Sequence, residues 1–396
     1  MMKKLLIIGA SILQLPAIKR AKEMGFYVGV VDYNPNAVGI PLSDEFFCVS
    51  TIDVDGVVAV AEAFKPDGIM TLATDMPMRS IAAACEKLGL PGISRDTALK
   101  STDKGEMIKC FEENGVEHPW YFILSAPEAL DSVKERITYP CITKPTDNSG
   151  SRGVMLVHNE NELREAVTYS SENGRSGGVM VEEYMRGPEV SVEIIVADGV
   201  PHVLQVTDKL TTGAPHFVEM GHSQPSRLAD GDLVKIRDLA SRAVKAVGIK
   251  NGPAHVEIIL TENGPKMVEL GARMGGDCIT THLVPLSTGI DMIEATIRIA
   301  CGEIPDLEPK FKKGSAIRFL DAPCGTITAI EGAEQAAKLD GVREISFTKG
   351  VGDTVGEIGS STDRVGFVIA QADDAESAVL VCERAKEVVN LEIDKI

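Results

Sequence analysis

The 396-residue sequence lacks the surplus of positive charge that a nucleic-acid partner demands: 40 Lys and Arg stand against 58 Asp and Glu, a formal net charge of −18. Phosphate backbones select basic faces, and acidity of this kind fits the hydrated surface of a cytoplasmic protein. The eight cysteines, from Cys48 to Cys382, contain no Cys-x-x-Cys pair. That absence removes zinc-ribbon and thioredoxin-like sites, and the chain is too long for a disulfide-built secreted fold. No run approaches the roughly 18 apolar residues of a membrane span. The apolar start Leu5-Leu6-Ile7-Ile8 is too short for a signal peptide and reads as a first strand. The dipeptide Gly-Lys does not occur, which excludes a Walker phosphate loop, and Gly9-Ala-Ser-Ile-Leu-Gln14 lacks the later glycines of a dinucleotide fingerprint. There is no internal repeat and no low-complexity tract.

What is present divides the chain into three parts. Residues 1–93 alternate strands (Leu5–Ile8, Val28–Val31, Gly68–Leu72) with helices (Leu15–Met24, Val57–Phe64, Ile81–Leu88). That rhythm predicts a parallel, doubly wound α/β domain with its ligand edge near Gly9–Ser11, Asp32 and Thr74–Asp75. A linker helix over Asp103–Glu113 opens residues 94–304, which become hairpin-rich from Tyr139 onward. The strands there are Cys141–Lys144, Val154–Val157, Met180–Glu182, Val190–Ala197 and Val203–Val206. Asp198-Gly199 is a tight-turn signal, 208–226 reads as a loop, and a helix covers Leu233–Val247. Residues 305–396 predict a small α+β domain with strands near Ala316–Leu320, Glu344–Phe347 and Gly366–Ala370, closed by a helix capped at Asp373 and Glu376.

The most informative segment is the hairpin Ala254–Leu270. Alternation places Val256, Ile258 and Leu260 on one face and His255, Glu257 and Ile259 on the other; the return strand puts Val268 and Leu270 inward, Met267 and Glu269 outward. A three-residue loop Glu262-Asn263-Gly264 then sets Glu257 directly opposite Glu269. Opposed residues hold their β-carbons about 4.5–5.5 Å apart, where like charges repel. A solvated sheet face accommodates such a pair, and so does a bound cation. Magnesium suits the second case, taking one or two carboxylates and leaving its other positions to water and phosphates; manganese is the alternative ion. Arg273, Gly275 and Gly276 follow just past the strand end, putting a cationic fork beside the acidic pair, as neutralisation of a phosphoryl group requires.

Upstream, Lys144 ends a strand before the loop Asp147-Asn-Ser149-Gly150-Ser151-Arg-Gly153. A lysine supplies a point charge to phosphates, and the N–H groups of such a loop can fold over them, although an ordinary hairpin connection has the same composition. Lys104 opens the linker helix, where a plain surface lysine is the default reading. Acidic residues in Glu182-Glu-Tyr184-Met185-Arg-Gly-Pro-Glu189 could accept from an adenine amino group or ribose hydroxyls.

In this order, Lys104, Lys144 with its glycine loop, Glu182-x-Tyr184-Met185, Gly-x-Glu189, then Glu257 and Glu269 with Arg273, the sequence resembles the ATP-grasp superfamily over nearly its whole length. The resemblance implies an ATP-grasp fold of α/β and α+β parts: an N-terminal doubly wound pre-ATP-grasp domain, a two-lobed grasp domain with ATP between the lobes, and the small C-terminal α+β domain. It further implies Lys104, Lys144 and the 148–153 loop (Ser149, Gly150, Ser151, Gly153) on the ATP phosphates, Glu182, Tyr184 and Met185 on adenine, and Glu189 on ribose. Glu257 and Glu269 would bind magnesium, and Arg273, with Lys144 as the other catalytic side chain, would steady an acyl phosphate. Two stretches, His255–Asp277 and Thr212-Gly-Ala-Pro-His-Phe-Val-Glu219-Met-Gly-His222-Ser-Gln-Pro-Ser226, are similar to the bacterial L-amino acid ligases. By that likeness Glu219, His222, Arg273, Gly275 and Gly276 face the substrate; a polar loop with a surface histidine is the plainer account of Glu219 and His222. One departure is Gly271, where many relatives carry the Asn that helps hold a second magnesium.

The expected activity is ADP-forming ligation of a carboxylate to an amine. The rivals are a ligase acting on phosphoribosylamine and glycine, a carbamoyl-phosphate-synthase-like enzyme and, in another class, a nucleotide sensor or dinucleotide enzyme. The expected partners are small molecules only, with no nucleic acid and no membrane, and a homodimer is the default assembly.

Overall fold

The computed structural model describes residues 2–148, 150 and 152–394. Strands β1 (Lys4–Ile8), β2 (Tyr27–Asp32), β3 (Glu45–Cys48) and β4 (Gly68–Met70) form a parallel sheet in the order β3-β2-β1-β4. β3 has no clear alternation and was not foreseen from the pattern. Leu6 and Ile8 point to the helices Val54–Phe64 and Met78–Leu88, while Leu5 and Ile7 point to the helix Leu15–Glu23. The helix Met292–Ala300, from far along the chain, covers that second face. The sheet is therefore buried on both sides, which is why its strands are continuous apolar runs.

β5 (Tyr121–Leu124), β6 (Cys141–Pro145), β7 (Met155–Val157) and β8 (Val179–Glu183) form a separate small sheet, ordered β5-β8-β6-β7. β9 (Glu189–Ala197), β10 (Val200–Thr211), β11 (Glu219–Gln224), β12 (Gly252–Thr261) and β13 (Gly264–Gly271) begin a large one. The Asp198-Gly199 turn forms as expected, with Ala197 paired to Val200 and both turn residues at positive φ. One face of the large sheet, with Val192, Ile194, Val206, Val256 and Ile258, packs on the helix Asp230–Val247. The other face carries Glu189, Ser191, Glu193, His255 and Glu257, and buries Ile195 against the cluster that includes Met292.

The last third contains β14 (Gly314–Leu320), β15 (Gly325–Glu331), β16 (Val342–Phe347), β17 (Thr354–Val355), β18 (Gly366–Ala372) and β19 (Asn390–Asp394). β14, β18 and β16 continue the large sheet past β11, giving eight strands ordered β13-β12-β9-β10-β11-β14-β18-β16; β17, β15 and β19 form a three-stranded sheet. The segment 219–224, expected as loop, is thus the strand that joins the central sheet to the C-terminal one. Asp374, not Asp373, caps the helix Ala375–Val388, and β19 follows that helix. Among the described residues no helix is long and apolar enough to cross a membrane.

The key hairpin reaches its register by another route than the one expected. Thr261 pairs with Gly264, so the turn has two residues, and a bulge between Glu257 and Ile258 on one side and Met267 and Glu269 on the other restores Glu257 opposite Glu269. The extra residue turns the return strand over. Met267 is consequently buried with Ile258 in the core, and Val268 faces the cleft beside Ile259, the reverse of the alternation argument.

Gly187 fixes how β8 leads into β9. Its φ is +146°, and a β-carbon there would lie 1.9 Å from the Leu260 carbonyl oxygen. Gly187→Ala is expected to cost roughly 3 kcal/mol, from strain plus the displaced end of β12, read as a lowered urea midpoint.

Candidate functional site

The polar face of the large sheet looks across a cleft at the small sheet. Strand pairing puts Glu257, Ser191 and Thr207 in one row and Ile259 opposite Glu189 on the same face, where the Lys209 side chain reaches Glu189. The cleft between the sheets is lined by Lys104, Lys144, Glu182, Lys209, Glu257 and Glu269, with Tyr184, Met185 and Ile259 among the less polar parts of its wall.

Each lysine in this cleft is held by a carboxylate. Lys104, at the start of the helix Lys104–Glu113, pairs with Glu269 at 2.9 Å and donates to the Asn148 carbonyl at 2.7 Å. Lys144 pairs with Glu182 at 2.6 Å, both almost fully buried. The second carboxylate oxygen of Glu182 is buried with no partner among the described residues. Burial pushes its carboxyl upward, against the opposing Lys144 charge. An orphaned acceptor at that depth needs a donor, and an exocyclic amino group has the right chemistry.

Sequence reasoning missed the hub of the site. Lys209, its side chain 4% exposed, contacts Glu189 at 2.6 Å, Glu257 at 3.3 Å and Glu219 at 3.6 Å. Burial opposes its charge, but the three carboxylates raise its pKa well above the ordinary value. His255 was missed as well. Its Nδ1 meets Glu193 at 2.9 Å and its Nε2 meets Glu257 at 3.3 Å. Burial alone would keep the ring neutral, yet Glu193 and Glu257 raise its pKa to about 9. Burial likewise works against the Glu257 charge, while Lys209 and His255 hold it well below the carboxylate range. Extending the alternation of β10 as far as Thr211 would have put Lys209 on the same face as Glu189.

The group fits a divalent cation. Glu189, Glu193, Glu219 and Glu257 are four carboxylates held by two cationic side chains, Lys209 and His255. Lys104 pairs with one oxygen of Glu269. No cluster of three or more His, Cys, Asp or Glu arranged for a metal occurs among those residues. The chain can therefore offer the opposed pair Glu257 and Glu269, with water or phosphate oxygens completing a magnesium shell.

The other expected residues are distributed unevenly. Gly150 lines the cleft with Arg152, whereas Gly153, at φ +80°, is packed where a β-carbon would meet Asn173 and Pro145. Ser149 and Ser151 lie outside the described residues. Glu219 lines the cleft, and Arg273 is held bidentately by Asp75, at 2.9 and 3.1 Å, on the wall of a neighbouring cavity. Gly275 allows the close approach of His255, whose Nδ1 a β-carbon would meet at 2.6 Å; at Gly276 a β-carbon would meet nothing within 4 Å. His222 is not on a surface loop. It lies buried on β11 opposite Lys209, with Nε2 3.4 Å from Asp277 Oδ2, and lines neither cavity.

Asp277 ties three parts of the chain together. It accepts two 2.8 Å hydrogen bonds from Arg364, whose guanidinium lies 3.6 Å over the Phe319 ring and also donates to the Glu219 carbonyl. Burial works against its charge, but Arg364 and His222 hold its pKa well below the ordinary 3.8. A depressed aspartate contributes stability that is present above its unfolded pKa and lost as pH falls through its folded one. Asp277→Asn is thus expected to cost roughly 3 kcal/mol at neutral pH. In urea titrations the gap to the parent chain should stay constant down to pH 5 and shrink only below about 4; a gap independent of pH would contradict the pairing.

Comparison with known proteins bears on the domains that carry these residues. Residues 137–281 match the family model of the ATP-grasp domain, and residues 318–394 match that of the L-amino acid ligase C-terminal domain 2. Alanine–anticapsin ligase of Bacillus subtilis (strain 168) is 29% identical over 280 residues, 64% of this chain and 58% of its own length. The L-arginine-specific L-amino acid ligase of Bacillus subtilis is 27% identical over 284 residues, 69% of this chain and 68% of that protein. The crystal structure of the L-amino acid ligase from Bacillus licheniformis superposes with a TM-score of 0.85 at 23% identity, covering 99% of each chain. At that identity the likeness is one of fold.

Proposed function

Because this chain belongs to the ATP-grasp superfamily of ligases, we propose that it is an ADP-forming carboxylate–amine ligase acting on an amino-acid-like substrate through an acyl phosphate. The observation that carries the reading is one cleft in which Glu257 faces Glu269 while Lys104, Lys144 and Lys209 converge on the same space. The C-terminal domain match favours amino acids over the other substrates that ATP-grasp enzymes use.

In this reading the substrate carboxylate oxygen attacks the γ-phosphorus of ATP, the bond to the bridging oxygen breaks and ADP leaves. The amine nitrogen then attacks the acyl carbon, phosphate departs and the nitrogen loses a proton, giving an amide. Magnesium held by Glu257 and Glu269 supplies charge neutralisation at the phosphates. Lys104 and Lys144 orient the phosphates, the free oxygen of Glu182 accepts from the base, and Glu189 reaches the ribose. Arg273, already oriented by Asp75, faces the charge that develops on the acyl phosphate. Positioning and electrostatics carry such chemistry, so the site needs no strong general base.

The test is a screen of single amino acids and pairs for stimulated ADP and phosphate release from ATP, with mass analysis of the product. Stimulation by amino acids with an amide product supports the reading. Stimulation only by bicarbonate or a ribosylamine, or nucleotide binding without turnover under any of them, would sink it.

A further inference from the structure

Beyond the Lys104–Glu269 pair lies a second cavity of about 540 Å³, between the N-terminal sheet and the small-sheet lobe. Its size suits a small molecule. Lys104, Asn148 and Glu269 line both this cavity and the nucleotide cleft, so the two spaces meet at the acidic pair.

Four acidic side chains line the cavity, and each is already engaged. Asp75 takes Arg273 through both oxygens, and Glu269 takes Lys104. Asp103 caps the helix that follows by accepting from the Glu106 N–H, and Asp147 accepts the N–H groups of Arg175 and Ser176. Two arginines on the walls have no such partner. Arg79 uses its Nε on the Thr102 hydroxyl at 2.9 Å. Arg175 reaches from the small-sheet lobe to the thioether of Met76 on the N-terminal domain, a weak acceptor. Among the described residues neither guanidinium has a carboxylate within ion-pair distance, and both side chains are exposed. Arg79 also stands in the first turn of the helix Met78–Leu88, whose N-cap Pro77 offers no side-chain acceptor and whose dipole favours negative charge. Two guanidinium forks lining one cavity, one from the N-terminal part and one from the small-sheet lobe, are the donor set for a planar or tetrahedral oxyanion.

We propose that this cavity binds a substrate of the ligation by a second anionic group, a carboxylate or a phosphate ester, held between Arg79 and Arg175. The substrate class is then small acids or amino acids that carry a negative charge besides the carboxylate that reacts. The assignment rests on the ligase reading only for placing the reacting end, at Arg273 and the Lys104–Glu269 junction; the anion site itself stands on the two arginines.

The test is calorimetric titration of the full chain, loaded with magnesium and a non-hydrolysable ATP analogue. The probes are two matched pairs, L-glutamate with L-glutamine and O-phospho-L-serine with L-serine. At least one anionic member should bind tenfold or more tighter than its neutral partner, and which one does separates carboxylate from phosphate. The double variant R79Q R175Q should abolish that preference, and R79E R175E should shift it toward L-lysine. Thermal melts of both variants should match the parent, since both side chains are exposed. Equal affinities within both pairs, failure of both anions to bind, or a preference that survives R79Q R175Q each overturn the proposal. ADP release with the same compounds, each offered alone and paired with the other amino acids of the screen, reports separately on ligation: selective binding without turnover in any combination removes the ligase reading and leaves the anion site in place.

Discussion

Glu269→Gln is expected to lower substrate-stimulated ADP formation by on the order of a thousandfold while leaving the protein folded. Gln is isosteric, keeps an acceptor for Lys104 and removes one of the two charges that face each other on β12 and β13. The Lys104–Glu269 pair is partly exposed, so its loss should cost no more than about 1 kcal/mol of stability. The two readouts therefore separate: turnover falls while the urea midpoint stays nearly unchanged. Nucleotide affinity should fall more when measured with magnesium than without it. Turnover within a few fold of the parent chain would show that Glu269 holds no catalytic cation.

Lys209→Met should act in the opposite manner, on stability first. The substitution keeps the length of the side chain but leaves Glu189, Glu219 and Glu257 facing one another without their shared cation. Breaking a buried pair by removing one partner costs about 3–5 kcal/mol, and here three carboxylates lose theirs. The deficit should shrink as pH falls from 7 to 5, because burial already raises the Glu189 carboxyl against the Lys209 charge and losing that charge raises it further. Magnesium should restore more stability to this variant than to the parent, because the cluster has gained a net negative charge. Lys209→Arg should recover most of the stability. Equal urea midpoints for Lys209→Met and the parent at pH 7 would remove Lys209 as the hub of the site.

The sequence by itself determined the elements whose signal is local. The parallel N-terminal sheet follows from apolar runs punctuated by helices and glycines. The Asp198-Gly199 hairpin follows from its turn chemistry, and the facing of Glu257 and Glu269 from counting along one hairpin. Even there the count reached the right pair through the wrong turn. A bulge is one unpaired residue, and it leaves no trace in composition, so Met267 and Val268 were assigned to each other's faces. Only the tertiary structure decided the rest, because those features depend on residues brought together across strand order. Lys209 becomes a hub because β9 lies between β10 and β12, so a lysine on β10 and a glutamate on β12 share one face across it. His255 stays charged in the interior because that same order sets Glu193 beside it. The stretch 219–224 gains its strand character from pairing with β10 and β14, not from an apolar pattern of its own. Arg79 and Arg175, ninety-six positions apart, meet one cavity only through the packing of the N-terminal sheet against the small lobe. Glu257 and Glu269 could be counted to each other along a single hairpin; Lys209, which pairs with Glu257, and Lys104, which pairs with Glu269, reach them from other elements.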